Sequence, residues 1–275
     1  MQCAWNAFLS ILPAGMQKTV DLQGRETLQE LRLRLNKPAE MVLRTENRQL
    51  PYNVTADDLH FVINTASRYS PWTAYSAAQG YLTAPGGHRI GICGEVVVKS
   101  GEMTGFRNLR SLNIRIARDF FGIATKLAHM EGNILLLGPP GSGKTTLLRD
   151  LIRLRSETEN VAVVDERGEL FPNDFLIGAK TDVVTGCSKC DGVFLMLRSM
   201  GPDTNAVDEI TAEEDCEALL QAGRCGVKLM ATVHAAGRED LLYRPIYRSI
   251  VQSKLFDQLV VLRRDKSFTV ERMPL

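Results

Sequence analysis

The sequence contains no long apolar run. Its apolar stretches, such as residues 134–137 and 259–262, have the length of a strand, whereas a helix that crosses a bilayer needs about 20 such residues. The start of the chain also lacks the pattern of a signal peptide, because Pro13 interrupts a short apolar run that little positive charge precedes. We therefore expect a cytoplasmic protein without a membrane-spanning segment.

The sequence has no excess of charge of either sign. Its 33 lysines and arginines balance 32 aspartates and glutamates, which gives a net charge of +1. Nothing in the overall charge attracts the protein to nucleic acid or to an anionic membrane. Basic residues interleaved with aromatic ones, which favour single-stranded nucleic acid, are also missing. We therefore expect no nucleic-acid partner.

The six cysteines are too widely spread to form a disulfide framework. Cys187 and Cys190 make one CxxC pair, but no second pair or histidine cluster stands at the spacing of a zinc site. We expect reduced thiols and no metal-binding role for this pair. Internal repeats and low-complexity segments are absent as well, which excludes a repeat protein.

The first part of the chain mixes short strands with one helix. Residues 41–44 and 90–98 have the pattern of strands. Residues 55–69 have the pattern of a helix, in which Thr55 caps the first turn and Asp58 stands three residues later. This mixture predicts a small α+β domain.

A group of glycines follows, and then a connecting segment. The glycines indicate tight turns between short strands, with a ligand-binding loop as the alternative, and they are Gly80, Gly86, Gly87, Gly91 and Gly94. We interpret residues 101–131 as the link to the second part of the chain. The predicted boundary places the N-terminal domain and its linker at residues 1–118 and a second domain at residues 119–275.

From Gly132 onward, apolar runs alternate with helical patterns. The runs lie at residues 134–137, 161–164 and 227–233. Strands that alternate with helices in this way form a parallel sheet with helices on both faces. We therefore predict an α/β fold for the second domain.

The segment GPPGSGKTT directly follows the first of these apolar runs. Its spacing is G-x-x-x-x-G-K-[ST], and residues 145–155 then have the pattern of a helix. A strand, this loop and a helix together make the phosphate-binding loop of nucleotide-binding proteins. We expect ATP to bind at the nine residues of the segment, Gly138, Pro139, Pro140, Gly141, Ser142, Gly143, Lys144, Thr145 and Thr146.

The residue types in this loop suit a nucleotide and its magnesium ion. Glycines let successive backbone N–H groups turn toward the phosphates, and the start of the following helix adds partial positive charge. We expect Lys144 to contact the β and γ phosphates and the hydroxyl of Thr145 to bind Mg²⁺. The predicted cofactors are ATP and Mg²⁺.

Two Asp-Glu pairs compete for the roles of supporting the metal and activating the attacking water. Asp165 and Glu166 follow a strongly apolar strand, but the second strand of such a sheet is commonly not the near neighbour of the phosphate loop. Asp208 and Glu209 come where a third strand would end. We therefore assign Asp208 to the magnesium site and Glu209 to orienting the water, with two carboxylates in an exposed turn as the alternative.

A polar pair stands at the end of the last apolar run. Thr232 and His234 lie at the predicted carboxyl end of a strand, where α/β proteins place their sites. We predict that His234 senses the γ-phosphate, with a structural histidine as the alternative.

These segments, in order along the chain, resemble one superfamily. GPPGSGKTT, VVDERGEL, RSMGPDTNAVDEI and ATVHA are similar to segments of the ATPases of bacterial type II and type IV secretion and of pilus motors. LRLRLNKPAE, GYLTAPGGHRIGICGE and SLNIRIAR more specifically resemble the stage III sporulation protein AA family, so the resemblance spans most of the chain beyond about residue 28. It implies a RecA-like ATPase domain and a hexameric ring.

The resemblance also implies further site residues. In the wider superfamily an acidic box faces the nucleotide, and it maps onto Asp165, Glu166 and Glu169. That box usually has the sequence Glu-Asp-Pro-x-Glu, whereas this chain has Asp-Glu-Arg-Gly-Glu, so the choice of general base stays open. The histidine box of the superfamily maps onto His234.

Arginines on the N-terminal side reach the phosphates in that superfamily. Four arginines without an intervening acid, Arg107, Arg110, Arg115 and Arg118, match this description. We assign the catalytic role to Arg115, with a solvated linker or contacts to a partner as the alternatives. The short basic run of Arg263, Arg264 and Lys266 is interpreted as a solvated edge.

Taken together, the motifs and the resemblance predict an ATPase. It would be the homo-hexameric ring motor of a secretion-like channel complex required for endospore formation. By resemblance it would attach peripherally to membrane-embedded channel proteins, on the cytoplasmic side in the mother cell. The alternatives are a nucleic-acid-translocating RecA-like motor and an ATP-gated assembly scaffold with little hydrolysis.

Overall fold

The computed structural model describes residues 3–67, 80–172 and 175–273. The chain divides into two compact units, which are Met1–Asp119 with Asn173–Phe175 and Phe120–Pro172 with Leu176–Leu275. Each unit has its own sheet. Within the described ranges, no helix is both long enough and apolar enough to cross a membrane.

The first unit contains an antiparallel sheet and short helices. Its strands are β1 (Leu28–Arg34), β2 (Pro38–Leu43), β3 (Asn47–Asn53), β4 (Tyr81–Thr83), β5 (Arg89–Lys99) and β6 (Glu102–Arg115). Its helices are α1 (Trp5–Ser10), α2 (Ala14–Gly24) and α3 (Ala56–Ser67), with a 3₁₀ turn at Pro85–Gly87. The strand order in the described residues is β3-β2-β1-β6-β5-β4.

Alternation along the strands gives this sheet one apolar face. In β1, Leu31 and Leu33 are fully buried, whereas Arg32 and the exposed Arg34 point to the opposite face. Apolar side chains of the helices, including Phe8, pack into the same core. This core stabilises the unit because removing apolar surface from water contributes roughly 25 cal/mol per Å².

The helix predicted at residues 55–69 is present as α3. Its start has the predicted capping box, because the N–H of Asp58 donates to the hydroxyl of Thr55 at 3.2 Å and the N–H of Thr55 donates to the carboxylate of Asp58 at 2.8 Å. The helix is observed to Ser67. Residues 68 and 69 of the prediction lie outside the described residues.

The interpretation of residues 101–131 as a link is wrong for its first half. Residues 102–115 form β6, a long strand that pairs with both β1 and β5. The sequence conceals this strand because its alternating polar residues, including the arginines, occupy the exposed positions. Only after β6 does the chain pass to the second unit.

The second unit is an α/β arrangement. Its strands are β7 (Ile134–Leu137), β8 (Val161–Asp165), β9 (Thr181–Thr185), β10 (Thr204–Val207), β11 (Lys228–Val233), β12 (Gln258–Leu262) and β13 (Phe268–Arg272). Its helices are α4 (Lys144–Arg155), α5 (Lys189–Ser199), α6 (Glu213–Arg224), α7 (Arg238–Tyr243) and α8 (Arg248–Gln252), with 3₁₀ turns at Thr125–Leu127 and Pro245–Tyr247.

The second sheet is mainly parallel and has a core on each face. Its order in the described residues is β13-β12-β7-β11-β10-β8-β9, and β13 alone among these strands is antiparallel to its neighbour. In β7, Leu135 and Leu137 join the core that contains α5 and α6, while Ile134 and Leu136 join the core that contains α4. The predicted α/β class is thus confirmed.

The sheet contains strands that the sequence does not predict, among them β9. β9 forms at the edge of the sheet from the half-polar segment TDVVT, whose two faces give no clear apolar pattern. The strand before Asp208 is therefore the fourth of this sheet along the chain and not the third. β11 lies between it and β7.

Candidate nucleotide site

Four strands of the second sheet bring polar residues to one edge. β7, β11, β10 and β8 are successive parallel neighbours in register, so their carboxyl ends lie side by side. The residues at those ends are Gly138, His234, Asp208 and Asp165. The site therefore depends on strand order rather than on closeness in sequence.

The loop after β7 has the geometry of a phosphate cradle. Gly141 has φ 72° and Gly143 has φ 97°, values that favour glycine. Gly138 allows a close approach, since a Cβ there would lie 2.6 Å from the hydroxyl oxygen of Ser142 and 2.9 Å from the carbonyl oxygen of Leu262. The loop leads directly into α4, where free N–H groups and the helix dipole attract phosphate.

Lys144, the first residue of α4, lies inside this loop. Its ammonium donates to the carbonyl oxygens of Gly138 at 2.8 Å and Pro139 at 3.2 Å. Burial lowers the pKa of Lys144, and the charges of Asp208 and Glu209 oppose that shift. The residues of the loop thus fit a polyphosphate, because they combine a fixed cation with the N–H groups of a helix start.

The oxygen atoms of Thr145 and Asp208 lie next to each other. The hydroxyl of Thr145 donates to one carboxylate oxygen of Asp208 at 2.8 Å, and the hydroxyl of Thr232 donates to the other at 2.7 Å. Burial raises the pKa of Asp208, and these two hydrogen bonds oppose that shift. A hydroxyl beside a carboxylate is the donor set that suits Mg²⁺, so these residues fit the predicted ion.

Glu209 and His234 form a pair beside Lys144. The carboxylate of Glu209 lies 3.1 Å from Nε2 of His234, and Nδ1 of His234 lies 3.0 Å from the Lys144 ammonium. Glu209 has a left-handed backbone, with φ 54°, and its N–H donates to the hydroxyl of Thr232 at 2.8 Å. The same threonine therefore orients both Asp208 and Glu209.

The acidic segment after β8 is also at this edge, but the carboxylates of Asp165 and Glu166 bond to groups outside the phosphate loop. Asp165 is buried and accepts backbone N–H bonds of 2.8 to 2.9 Å from Glu169, Leu170 and Phe171. The Asp165 side chain thus holds its own loop in place. Glu166 pairs with the buried ammonium of Lys189 at 2.6 Å.

Arg115 lies in the first unit. It is at the end of β6, its side chain is 64% exposed, and its Nε lies 3.5 Å from a carboxylate oxygen of Glu30. Two of the other arginines grouped with it have partners in the same unit. Arg107 pairs with Glu95, and Arg118 donates to the carbonyl oxygens of Arg25 and Leu28.

Several residues of the site have no signal in the sequence. Lys189 and Arg167 line the cleft with the two acidic pairs, and Arg167 lies 3.7 Å from the Glu209 carboxylate. Lys266 donates to the carbonyl oxygen of Gly141 in the phosphate loop. Lys266 is exposed, as the interpretation of its basic run as a solvated edge expects, so this contact lies at the surface of the loop. Strand order, which the sequence does not state, creates each of these contacts.

The phosphate loop and the strand order together define a P-loop nucleotide-binding fold, and solved structures share it. The pilus retraction motor PilT with bound ADP superposes with a TM-score of 0.66 at 16% identity, over 94% of this chain and 82% of that one. The ATPase DotB of Yersinia pseudotuberculosis superposes with a TM-score of 0.65 at 14% identity, over 94% and 79%. At such identities the likeness establishes the fold.

Sequence comparison identifies the family within this fold. A family model described as sporulation stage III, protein AA, matches residues 6–271. Stage III sporulation protein AA of Bacillus subtilis (strain 168) is 36% identical to this chain over an alignment 282 positions long. The alignment covers 95% of this chain and 92% of the relative. The chain therefore belongs to the stage III sporulation protein AA family, as the sequence resemblance predicted.

Proposed function

We propose that this protein is an ATPase and the hexameric ring motor of a secretion-like complex in endospore formation. The observation that carries the proposal is the convergence of Lys144, Thr145, Asp208, Glu209 and His234 at one sheet edge. Family membership supports the role in sporulation. The fold shared with a pilus retraction motor and with the ATPase DotB supports the motor role.

Each residue of this group has a part in hydrolysis. The loop N–H groups and Lys144 bind and orient the phosphates. Thr145 and Asp208 would hold Mg²⁺, which would neutralise charge on the phosphate oxygens. Glu209 orients the attacking water and receives its proton at a carboxylate oxygen. His234 contacts the γ-phosphate. Catalysis of this kind depends mainly on positioning and on stabilising charge.

Glu209 is a better candidate for the general base than Glu166 or Glu169. It follows Asp208 directly and lies 3.1 Å from His234, which itself contacts Lys144. Glu166 is instead paired with the Lys189 ammonium at 2.6 Å, and that cation competes with water for its carboxylate. Glu169 stands next to the buried Leu170, in the loop that Asp165 fixes.

The remaining parts of the proposal rest on the family resemblance. Residues 1–118 act as an N-terminal domain with its linker, and residues 119–275 act as a RecA-like ATPase domain. Hydrolysis drives movement of the domains. The ring is cytoplasmic, on the mother-cell side, and binds membrane-embedded channel proteins peripherally.

Two substitutions test the proposal with the purified full chain. Lys144→Ala removes the phosphate-binding cation, so we expect both ATP binding and turnover to be lost. Glu209→Gln keeps the shape but removes the base, so we expect ATP binding to remain and turnover to fall by about 100-fold or more. Phosphate release and nucleotide affinity are the measurements.

Glu166→Gln is the matched control, because it makes the same change in the neighbouring acidic pair. We expect it to retain much more turnover than Glu209→Gln. If Glu209→Gln hydrolyses ATP at the parent rate and Glu166→Gln does not, the roles of the two pairs are reversed. A parent protein that binds ATP without turnover would be a scaffold and not a motor.

A further inference from the structure

The turn between β12 and β13 is built next to the phosphate loop. β12 pairs with β7, and the register places Val261 opposite Leu137. The next residue, Leu262, lies close to Gly138. A Cβ added at Gly138 would be only 2.9 Å from the carbonyl oxygen of Leu262. The turn that follows β12 therefore begins beside Gly138, the first residue of the phosphate loop.

Backbone and side-chain hydrogen bonds hold this turn in shape. The N–H of Arg263 donates to the carbonyl oxygen of Ser267 at 2.9 Å, and the N–H of Lys266 donates to that of Arg263 at 3.1 Å. The carboxylate of Asp265 accepts from both the N–H and the hydroxyl of Ser267. Lys266 itself has φ 71°, a left-handed conformation. The turn therefore sets the direction in which the Cα–Cβ bond of Lys266 leaves the backbone.

That side chain lies over the phosphate loop. Its Cδ is 3.6 Å from the position that a Cβ would take at Gly143, the residue before α4. Its ammonium donates to the carbonyl oxygen of Gly141. A second lysine thus stands at the loop, on the outer side, while Lys144 lies inside it.

A neutral carbonyl oxygen is a weaker partner for an ammonium than a phosphate oxygen, because charge on both groups shortens and strengthens the hydrogen bond. The lysine stem has four carbons and can reorient without moving the turn. We propose that Lys266 is a second cation of the phosphate site, whose ammonium moves from Gly141 to a phosphate oxygen when a nucleoside diphosphate or triphosphate binds. This inference rests on the proposed nucleotide-binding function.

The affinity of the full chain for magnesium complexes of ADP and ATP, and for AMP, tests this inference. Lys266→Gln keeps a side-chain N–H group that can donate to Gly141 but removes the charge. We expect ADP and ATP to bind about tenfold more weakly to it, the loss to be smaller for AMP, and the difference to shrink at high salt. Lys266→Arg, which keeps the charge, should retain most of the affinity.

Lys180→Gln is the matched control. Lys180 also donates to a backbone carbonyl, that of Thr158 at 3.2 Å, but it precedes β9 at the opposite edge of the sheet. Parental affinity is expected for this variant. If Lys266→Gln also binds all three nucleotides like the parent while Lys266→Ala does not, Lys266 only braces the loop and the inference is wrong.

Affinity and turnover separate this inference from the proposed motor function. A parent protein that binds nucleotide without hydrolysing it would overturn the motor, while a weakened Lys266→Gln would still support the second cation. Unchanged affinity in Lys266→Gln and in Lys266→Ala, with hydrolysis intact in the parent, would overturn the second cation alone.

Discussion

At the scale of single residues, His234 connects the phosphate loop to the proposed base. The ammonium of Lys144 can only donate, so Nδ1 of His234 must accept that hydrogen bond. The ring proton is therefore on Nε2, where it can be donated to the carboxylate of Glu209. A phosphate that attracts the Lys144 ammonium would break its hydrogen bond to Nδ1 of His234 and so weaken the link from Lys144 through His234 to Glu209. This change is a physical basis for the proposal that His234 senses the γ-phosphate.

Arg115 gives a prediction at the same scale. Its side chain is mostly exposed and its contact with Glu30 is long, while Arg32 already pairs with Glu30 at 2.7 Å. Arg115→Gln should therefore leave the fold intact. If the arginine stabilises charge that develops on the phosphoryl group, turnover should fall roughly tenfold or more with a smaller change in nucleotide affinity.

Arg107→Gln is the control for this measurement. Arg107 is on the same strand, is 66% exposed and also pairs with one glutamate. We expect its turnover to equal that of the parent. Equal turnover in Arg115→Gln as well would return Arg115 to the alternative of a solvated residue.

Part of the candidate site follows from the sequence by a short argument. His234 directly follows an apolar run, Asp208 stands where a further strand is predicted to end, and parallel strands present their carboxyl ends at one edge. Lys189 and Lys266 could not be found in this way. Lys266 meets Gly141 across 125 positions of sequence, and nothing local to either residue specifies that β12 lies beside β7.

At the scale of elements, the sequence predicts a helix start best where all the residues that form the start lie within a few positions of one another. The capping box of Thr55 and Asp58 marks the start of α3, and GPPGSGKTT marks the start of α4. β6 and β9 escaped prediction because their stability comes from neighbouring strands and not from their own composition. β9 has no clear apolar face of its own, and its neighbour β8, which is buried along its whole length, provides the strand with which it pairs.

The contact between α5 and β8 provides a prediction about an element. Gly192 lets the helix approach the sheet, since a Cβ there would lie 2.4 Å from Cγ1 of Val164 and 3.2 Å from the sulfur of Cys187. Gly192→Ala must push α5 away from β8. We expect the free energy of unfolding to fall by about 1–3 kcal/mol, measured by urea denaturation.

Gly237→Ala is the matched control for that substitution. Gly237 has an extended backbone with φ 177°, and no heavy atom would lie within 4 Å of its added Cβ. Its free energy of unfolding should stay close to that of the parent. Equal losses in both variants would mean that the helix approach at Gly192 is not the cause.

At the scale of the whole molecule, the proposed ring leads to a prediction about mass. A ligand that binds the assembled form better than the single chain shifts the equilibrium toward assembly. The shift grows with the ratio of the ligand concentration to the Kd of the ligand. If ATP is such a ligand, the 30.5 kDa chain should gain mass toward six copies when ATP is added. Glu209→Gln, which should bind ATP without consuming it, should hold that mass longest, and Lys144→Ala should not respond. Single-chain mass in saturating ATP, with hydrolysis intact, would show that this family member works without assembling by itself and would remove the ring from the proposal while leaving the ATPase.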